Sequence, residues 1–261
     1  MQDKIGIRDR LLAFFESSVV IIVLLVIWIV VPMFYDNMYV PSLLTVLAEL
    51  WKTILSGELV LNAFTSLKVC FVGLLAGTIA GIALGLLLGW FKKAEMYLDP
   101  FFQVMRNTST LALLPLFVLL FGVGDLSKIL LIMWGTFFPM LINTTQGVKN
   151  ADPVLIRSAR SMAVSNAELF FKVVLPAASP YILSGFRLSA GVSLIVVVGA
   201  EMLGAYHGLG RMVFFSSTNY FISKMYAAII VLAILGVVIN ALTSRLEDDL
   251  TKWQDKSVLS A

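Results

Sequence analysis

The sequence predicts an all-α membrane protein with six transmembrane helices, because of its composition and its long uncharged windows. Of its 261 residues, 59% are hydrophobic and 13% are charged, whereas a soluble domain has about 25% charged residues. Stretches of about 18–23 residues without a charge recur along the chain, and each can cross a hydrocarbon core of about 30 Å as a helix. No linker or shift in composition divides residues 1–261, which predicts a single transmembrane domain.

The fifth of the six predicted spans lacks a full-length uncharged window, because Arg187 and Glu201 interrupt it. Residues 188–200 would form a helix only about 20 Å long, so this span carries at least one charge into or near the membrane. The first span has a basic start but no small-residue cleavage site after it, and we expect a retained helix there. The spans are predicted at about 17–35, 64–91, 107–124, 128–148, 181–203 and 225–246.

The basic residues predict the orientation of the chain. With both termini on one side, the loops and tails of that side hold thirteen Lys and Arg residues, against four on the other side. The positive-inside rule then places the N and C termini in the cytoplasm. These cations are spread over several loops without an aromatic-lined groove, which argues against a nucleic-acid partner.

The residues that carry chemistry in enzymes are scarce in this chain. Cys70 and His207 are its only cysteine and histidine, which argues against a metal site and against a Cys- or His-based catalytic group. There is no phosphate-binding loop, and the glycines at 122–124 and 208–210 are predicted to form turns at helix ends. We therefore expect no cofactor in this chain and no catalysis by it alone.

Five glycines recur every four residues along the second span, at 73, 77, 81, 85 and 89. Small residues at this spacing let membrane helices approach closely. The stripe either packs inside one chain, which we favour, or forms a seam between two copies.

Charges inside spans are functional candidates because they are costly in a membrane. Lys68 and Glu201 have opposite signs and similar predicted depth, which suggests an ion pair or a shared polar network with a structural or a gating role. Arg187 lies near a helix end, from which it can reach the interface.

Two segments outside the spans have helical patterns. Residues 41–55 predict an amphipathic helix capped by Ser42, which lies on the outer membrane surface or contacts a partner. In the longest cytoplasmic loop, 149–180, Asp152 and Pro153 begin a predicted helix over 154–162. A break follows, and a second helix over 167–174 is predicted to stop at Leu175-Pro176.

The loop also carries a family resemblance. The run from Ile156 to Ser165, followed by Val173-Val-Leu-Pro176, resembles the coupling loop of ABC-importer permeases, which reads Glu-Ala-Ala, then Gly, then Ile-x-Leu-Pro. Further matches in order extend the resemblance over about residues 40–250, and it is strongest with the nitrate, taurine, alkanesulfonate and thiamine-precursor branch. They are Leu113-Leu-Pro-Leu116, Phe121-Gly-Val-Gly124, Leu175 to Arg187, Ala200-Glu-Met202 and Gly208-Leu-Gly210.

The resemblance implies a type I permease in a bacterial inner membrane that imports a small solute by alternating access. It implies a second copy of this chain, two cytoplasmic ATPase subunits that hold ATP and magnesium, and an external binding protein that delivers the solute. The branch points to a small anion such as a sulfonate, taurine or nitrate. The residues expected to contact the ATPase are Arg157, Ser158, Ala159, Arg160, Ala163, Val173, Leu175 and Pro176.

Three positions depart from the family motif, and one of them is Ser158, which stands where the motif has its first Ala. Arg157 stands where the motif has Glu, so we expect an acidic or neutral residue opposite it on the ATPase. Ala163 stands where the motif has Gly, the residue that best tolerates a left-handed turn, so we expect a wider turn here.

The expected translocation path is lined by polar residues of the third and fifth spans, with the charged residues as path or gate. These candidates are Lys68, Thr108, Ser109, Thr110, Arg187, Ser189, Ser193 and Glu201. The alternatives are a secondary transporter driven by an ion gradient, which would show broken midplane helices in both halves, and a membrane scaffold without transport.

Overall fold

A computed structural model describes residues 19, 22–23, 26–32, 34 and 39–251, and all regular structure among them is helical. This confirms the all-α class. The two termini lie outside the described residues, and so do the basic residues of the tails on which their predicted cytoplasmic placement partly depends.

The helices have the following bounds in chain order. They are α1 (helical at 19, 22–23, 26–32 and 34), α2 (Leu43–Leu55), α3 (Glu58–Trp90), α4 (Lys92–Arg106), a 3₁₀ turn (Leu111–Leu113), α5 (Leu114–Phe121), α6 (Asp125–Lys149), α7 (Pro153–Ser161), α8 (Asn166–Leu169), a π-helical turn (Phe170–Val174), α9 (Leu175–Gly204), α10 (Leu209–Thr218) and α11 (Ile222–Leu250).

Four helices of the described part are long and apolar enough to span a membrane: α3, α6, α11 and the helical run Asn166–Leu203 that includes α9. Each extends beyond the predicted span at one or both ends. Of the nineteen residues in the predicted span 17–35, eleven are described and all eleven are helical.

The third predicted span, 107–124, is not one helix. The backbone leaves the helix at residues 107–110, and the axes of Lys92–Arg106 and Leu111–Phe121 differ by 79°. These two helices together pass as a fifth, broken span. The prediction is wrong because residues 92–106, which carry five charges and lie between two predicted spans, form an amphipathic helix that belongs to the broken span.

Helices α3, α6 and α9 pack side by side as the core of the molecule. The glycine stripe of α3 lies against a row of α6 side chains with the same four-residue spacing. A Cβ on Gly73 would lie 2.6 Å from Ile132 Cβ, and one on Gly81 would lie 2.5 Å from Met140 Cβ. The stripe therefore packs inside one chain, as favoured above, and is not a seam between copies.

Helix α2 confirms the predicted helix over 41–55 and its cap, since the Ser42 hydroxyl accepts a hydrogen bond from the Thr45 N–H at 3.3 Å. It packs against α11 with Val46 buried, while Leu47 and Trp51 stay exposed. Its exposed apolar face fits either of the predicted environments, the outer membrane surface or a partner protein.

The core of α3, α6 and α9 has two ends. The end at which α6 runs into α7 and from which α9 starts is called the α7 end. The opposite end, where α9 runs into α10, is called the α10 end.

Candidate coupling and translocation sites

Helix α7 begins as its sequence predicts. Asp152 is the N-cap, its carboxylate accepts a hydrogen bond from the Val154 N–H at 2.7 Å, and Pro153 occupies the first turn. Ile156 packs towards a small buried cluster with Val174 and Ala178. One side of α7 is thus fixed to the bundle, and the other side is free.

The turn after α7 keeps the left-handed conformation. Ala163 has φ 55°, and its N–H donates to the Arg160 carbonyl at 3.0 Å. The expectation of a wider turn is therefore wrong. The ends of the turn are held by the α7 C-cap and by a capping box between Ser165 and Glu168, so the backbone accepts the strain of about 1–2 kcal/mol that alanine carries there.

The second helix of the loop does not stop at Leu175-Pro176, which corrects that prediction. Helix α8 passes through the π-helical turn into α9, and the helical run continues from Asn166 to Leu203. Pro176 lies in the first turn of α9, where proline is tolerated, and the wider π turn precedes it.

We call residues 153–174 the coupling segment. Among its residues, Arg157, Ser158 and Arg160 are exposed, and Ala159 and Val173 are half-buried. Large apolar side chains are exposed as well: Val154, Leu155, Met162 and Phe171. Such a patch of apolar and cationic side chains is typical of a protein interface.

One ionisable group of the coupling segment is strongly perturbed. The Lys172 ammonium, 3.0 Å from Glu168, together with hydrogen bonds from Ser165, lowers the pKa of the Glu168 carboxyl to about 2. The pair is exposed and stabilises the first turn of α8 at neutral pH.

The non-helical residues 107–110 lie at mid-height of the core. A Cβ on Gly135, near the middle of α6, would lie 3.2 Å from Thr110 Cγ2. Thr108 and Ser109 are exposed in this break. Non-helical backbone at membrane depth is stable only where it is buried in protein or lines a water-filled cavity, so the geometry favours the predicted path role of Thr108, Ser109 and Thr110.

The cleft between α4 and α6 extends this polar surface towards the α7 end. It has a volume of about 250 Å³. The cleft is lined from α4 by Asp99, Gln103 and Arg106. Glu95 of α4 forms an ion pair with Lys149 where the cleft reaches the α7 end. These residues were not predicted, because 92–106 lies between two predicted spans, although polar residues recur there every three or four positions, as on one face of an amphipathic helix.

At the α10 end, Glu201 is fully buried and binds the start of α10. One of its carboxylate oxygens accepts hydrogen bonds from the Gly210 N–H at 2.9 Å and from the Ser66 hydroxyl at 2.8 Å. The Ser66 hydroxyl in turn accepts from the Leu209 N–H, and Asn62 accepts from the Gly208 N–H. We call this group the Glu201 network, and it satisfies three successive N–H groups at a helix N-terminus.

The Glu201 carboxylate lies against the backbone of residues 208–210, which explains the glycines of this segment. Gly208 has φ 132°, and a Cβ there would collide with the Glu201 carboxylate. The glycine-rich 208–210 segment was expected to be a turn at a helix end, and it is one. Helix α10, Asn62 and Ser66 were not predicted, although the short spacing of Asn62 and Ser66 places them on one face of α3.

Lys68 is not part of this network, so the expected ion pair with Glu201 is wrong. Lys68 is exposed on α3 and has no carboxylate partner among the described residues. Depth along the helices was estimated correctly, but the two side chains point in different directions. The buried cation of this end is Lys128, which is 2% exposed and lies 2.8 Å from Asp125.

The remaining candidates use their polar groups within the chain. Arg187 binds Glu247 of α11 at 3.3 Å. The Ser189 hydroxyl donates to the Thr136 carbonyl at 2.9 Å, and the Ser193 hydroxyl donates to the Ala190 carbonyl at 2.7 Å. Both serines are fully buried, so neither lines an open surface in this structure, and their path role stays a prediction.

The arrangement combines an exposed coupling segment, a broken helix with a polar cleft, and a closed polar network at the opposite end. The chain belongs to the family described as "Binding-protein-dependent transport system inner membrane component", which matches residues 73–252. It is a multi-pass membrane protein and an ABC-importer permease by family.

The relatives narrow the branch. The chain is 39% identical over 219 residues to SsuC of Bacillus subtilis, described as an aliphatic sulfonates transport permease, covering 82% of this chain and 78% of that protein. It is 37% identical to the taurine transport system permease protein TauC of Escherichia coli, covering 72% and 68%. It is 32% identical to the nitrate import permease protein NrtB of a Synechocystis strain, covering 89% and 87%.

Solved structures support the fold. A chain of the MetNI methionine ABC transporter, in an inward-facing conformation, superposes with a TM-score of 0.67 at 20% identity, covering 74% of this chain and 96% of that chain.

Proposed function

We propose that this chain is the membrane-spanning subunit of an ATP-driven importer that takes up a small anion such as a sulfonate, taurine or nitrate. The relatives named for aliphatic sulfonates, taurine and nitrate support the substrate class. An external binding protein delivers the solute, and two cytoplasmic ATPase subunits hold ATP and magnesium.

The observation that carries the proposal is the coupling segment. It is braced on one side by Ile156 and capped at both helix starts, yet its other side exposes apolar and cationic residues. A rigid projection with an uncovered apolar face is suited to fit a groove of a partner and to transmit its movement. In this proposal the α7 end is cytoplasmic, and Arg157 faces an acidic or neutral residue of the ATPase.

A second copy of the chain completes the path. Helix α4 has no buried residue, and the polar side chains of α4 and 107–110 are exposed in one chain, apart from Glu95 and Thr110, which are half-buried. Such a surface is unfavourable against lipid. A second copy facing it would enclose a polar passage, which the Glu201 network closes at the α10 end in this conformation.

The test is uptake by proteoliposomes that contain the chain, its genomically adjacent ATPase and its binding protein. We expect uptake of radiolabelled taurine, an alkanesulfonate or nitrate with ATP at the ATPase side, and none with a non-hydrolysable analogue. Uptake driven by a proton or sodium gradient without ATP would overturn the proposal and favour a secondary transporter. Absence of uptake under both conditions, with all subunits assembled, would favour a scaffold.

A further inference from the structure

We propose that a second pocket at the α10 end, here called the Arg211 pocket, binds a small tetrahedral oxyanion. The pocket lies between α3, α10 and the first turn of α11 and has a volume of about 270 Å³. Its polar lining consists of Glu58, Asn62, Tyr206, His207, Arg211, Ser216 and Lys224. No part of the α4–α6 cleft contributes to it.

The charge of the lining favours an anion. Lys224 lies 2.7 Å from Glu58, so these two charges largely cancel. Arg211 has no carboxylate partner in the described part of the chain, and its guanidinium lies 6.0 Å from the centre of the Phe215 ring. The guanidinium carries parallel N–H donors that match the oxygens of a sulfonate or phosphate group.

A buried hydroxyl points to the same ligand. Ser216 is 0% exposed, lines the pocket, and its Oγ has no hydrogen-bond partner. A buried polar atom without a partner is rare in folded proteins because it loses its hydrogen bonds to water. In this conformation the hydroxyl has no accessible surface, so an anion oxygen would accept its hydrogen bond once a small shift of the pocket wall exposes it.

The ligand class rests on the proposed function, which places the α10 end on the outer side and makes a sulfonate the anion that arrives there. The pocket shares Asn62 with the Glu201 network. A bound sulfonate would therefore lie directly beside the closed end of the path, before it enters.

His207 provides a probe, because it is the only histidine of the chain and lines the pocket. The full chain, labelled with carbon-13 histidine and held in phosphatidylcholine nanodiscs, is titrated with methanesulfonate at constant ionic strength. We expect a saturable shift of the His207 ring resonance. A shift that does not saturate, or no shift, would overturn the site.

Three variants test the geometry. Arg211→Gln should weaken methanesulfonate binding at least about tenfold, because a charge-assisted hydrogen bond is lost. Ser216→Ala should weaken binding without lowering the melting temperature, since it removes an unpaired hydroxyl. Lys52→Gln, which removes an exposed cation on α2 at the same end of the bundle, is the control and should leave the titration unchanged. Equal affinity in Arg211→Gln and wild type would overturn the assignment.

The same titration separates the inference from its alternatives. A shift on replacing a third of the lipid by phosphatidylglycerol, which methanesulfonate does not displace, would assign the pocket to a lipid phosphate and overturn the sulfonate assignment. A saturable shift in a chain that shows no ATP-driven uptake would retain the site and reject the proposed function. ATP-driven uptake without the shift of the His207 resonance would reject the anion site and retain the proposed function.

Discussion

Glu201 is the residue on which the closed α10 end depends most. One carboxylate oxygen holds both α3, through Ser66, and the N-terminus of α10, through Gly210. The other oxygen is buried without a partner. A carboxylate at a helix N-terminus is favourable, and its loss leaves buried donors without an acceptor.

Two substitutions of Glu201 distinguish the contribution of its hydrogen-bond acceptor from that of its negative charge. Glu201→Ala should destabilise the chain by about 2–4 kcal/mol, because the Ser66 and Gly210 donors lose their acceptor and a cavity remains. Glu201→Gln keeps one acceptor oxygen and should cost less. Unfolding in mixed micelles measures both variants, and equal stability of Glu201→Ala and wild type would contradict the network.

Ala163 permits a gain in stability at a single residue. Ala163→Gly should stabilise the chain by about 0.5–1 kcal/mol, because glycine adopts the observed φ without the alanine strain, less its own entropy cost. The melting temperature of the purified chain measures this change. A lower melting temperature would show that the left-handed turn is not kept in the protein.

Glu168 gives the coupling segment a defined pH response. Because its folded-state pKa of about 2 lies below the ordinary value of 4.5, its contribution is present above about pH 4.5 and is lost as the pH falls towards 2. Lys172→Met should raise the pKa of Glu168, since the Lys172 hydrogen bond is the largest cause of the shift. Carbon-13 NMR of the Glu168 carboxyl measures it, and an unchanged titration in Lys172→Met would contradict the assignment.

At the scale of elements, the contact between α3 and α6 determines the core. The α3 glycines allow backbone approach that any side chain would prevent, and α6 supplies side chains of matching spacing. The sequence indicated the stripe but not its partner, because a four-residue repeat defines one face of one helix only.

Gly81→Ala should destabilise the core by about 1–3 kcal/mol, because its Cβ would lie 2.5 Å from Met140 Cβ and force the helices apart. Gly236→Ala in α11 is the matched control, since the nearest atom to its Cβ would be 3.9 Å away. The control should be neutral or stabilising by up to about 1 kcal/mol. Equal effects of the two substitutions on unfolding would contradict the packing.

Local signals predicted several elements well. The caps Ser42 and Asp152 and the proline at 153 identified the starts of α2 and α7, because capping depends on neighbouring residues only. Helices α4 and α10 were missed, since the first is charged and the second has no local cap: its first N–H groups are bound by Asn62, Ser66 and Glu201 of other helices. The pairing of Lys68 with Glu201 failed because sequence gives the depth of a side chain more readily than its direction.

At the scale of the whole molecule, the Glu201 network joins α3, α9 and α10 at the α10 end, and a polar cleft lies towards the α7 end. Helices α6 and α9 connect the two ends as continuous rods. A displacement of the coupling segment can thus reach the Glu201 network through α9, which carries Glu201 itself. This connection accounts physically for alternating access in the proposed importer.

The most direct test of this account measures ATP hydrolysis and solute uptake in the same proteoliposomes, with wild type and with Leu155→Gln. Leu155 is exposed on α7, and Leu55→Gln, an exposed leucine of α2, is the control. We expect Leu155→Gln to lower uptake at least about tenfold, because an apolar anchor of a partner interface is lost, while the control transports normally. Undiminished ATP-driven uptake by Leu155→Gln, in a complex that is fully assembled, would contradict it.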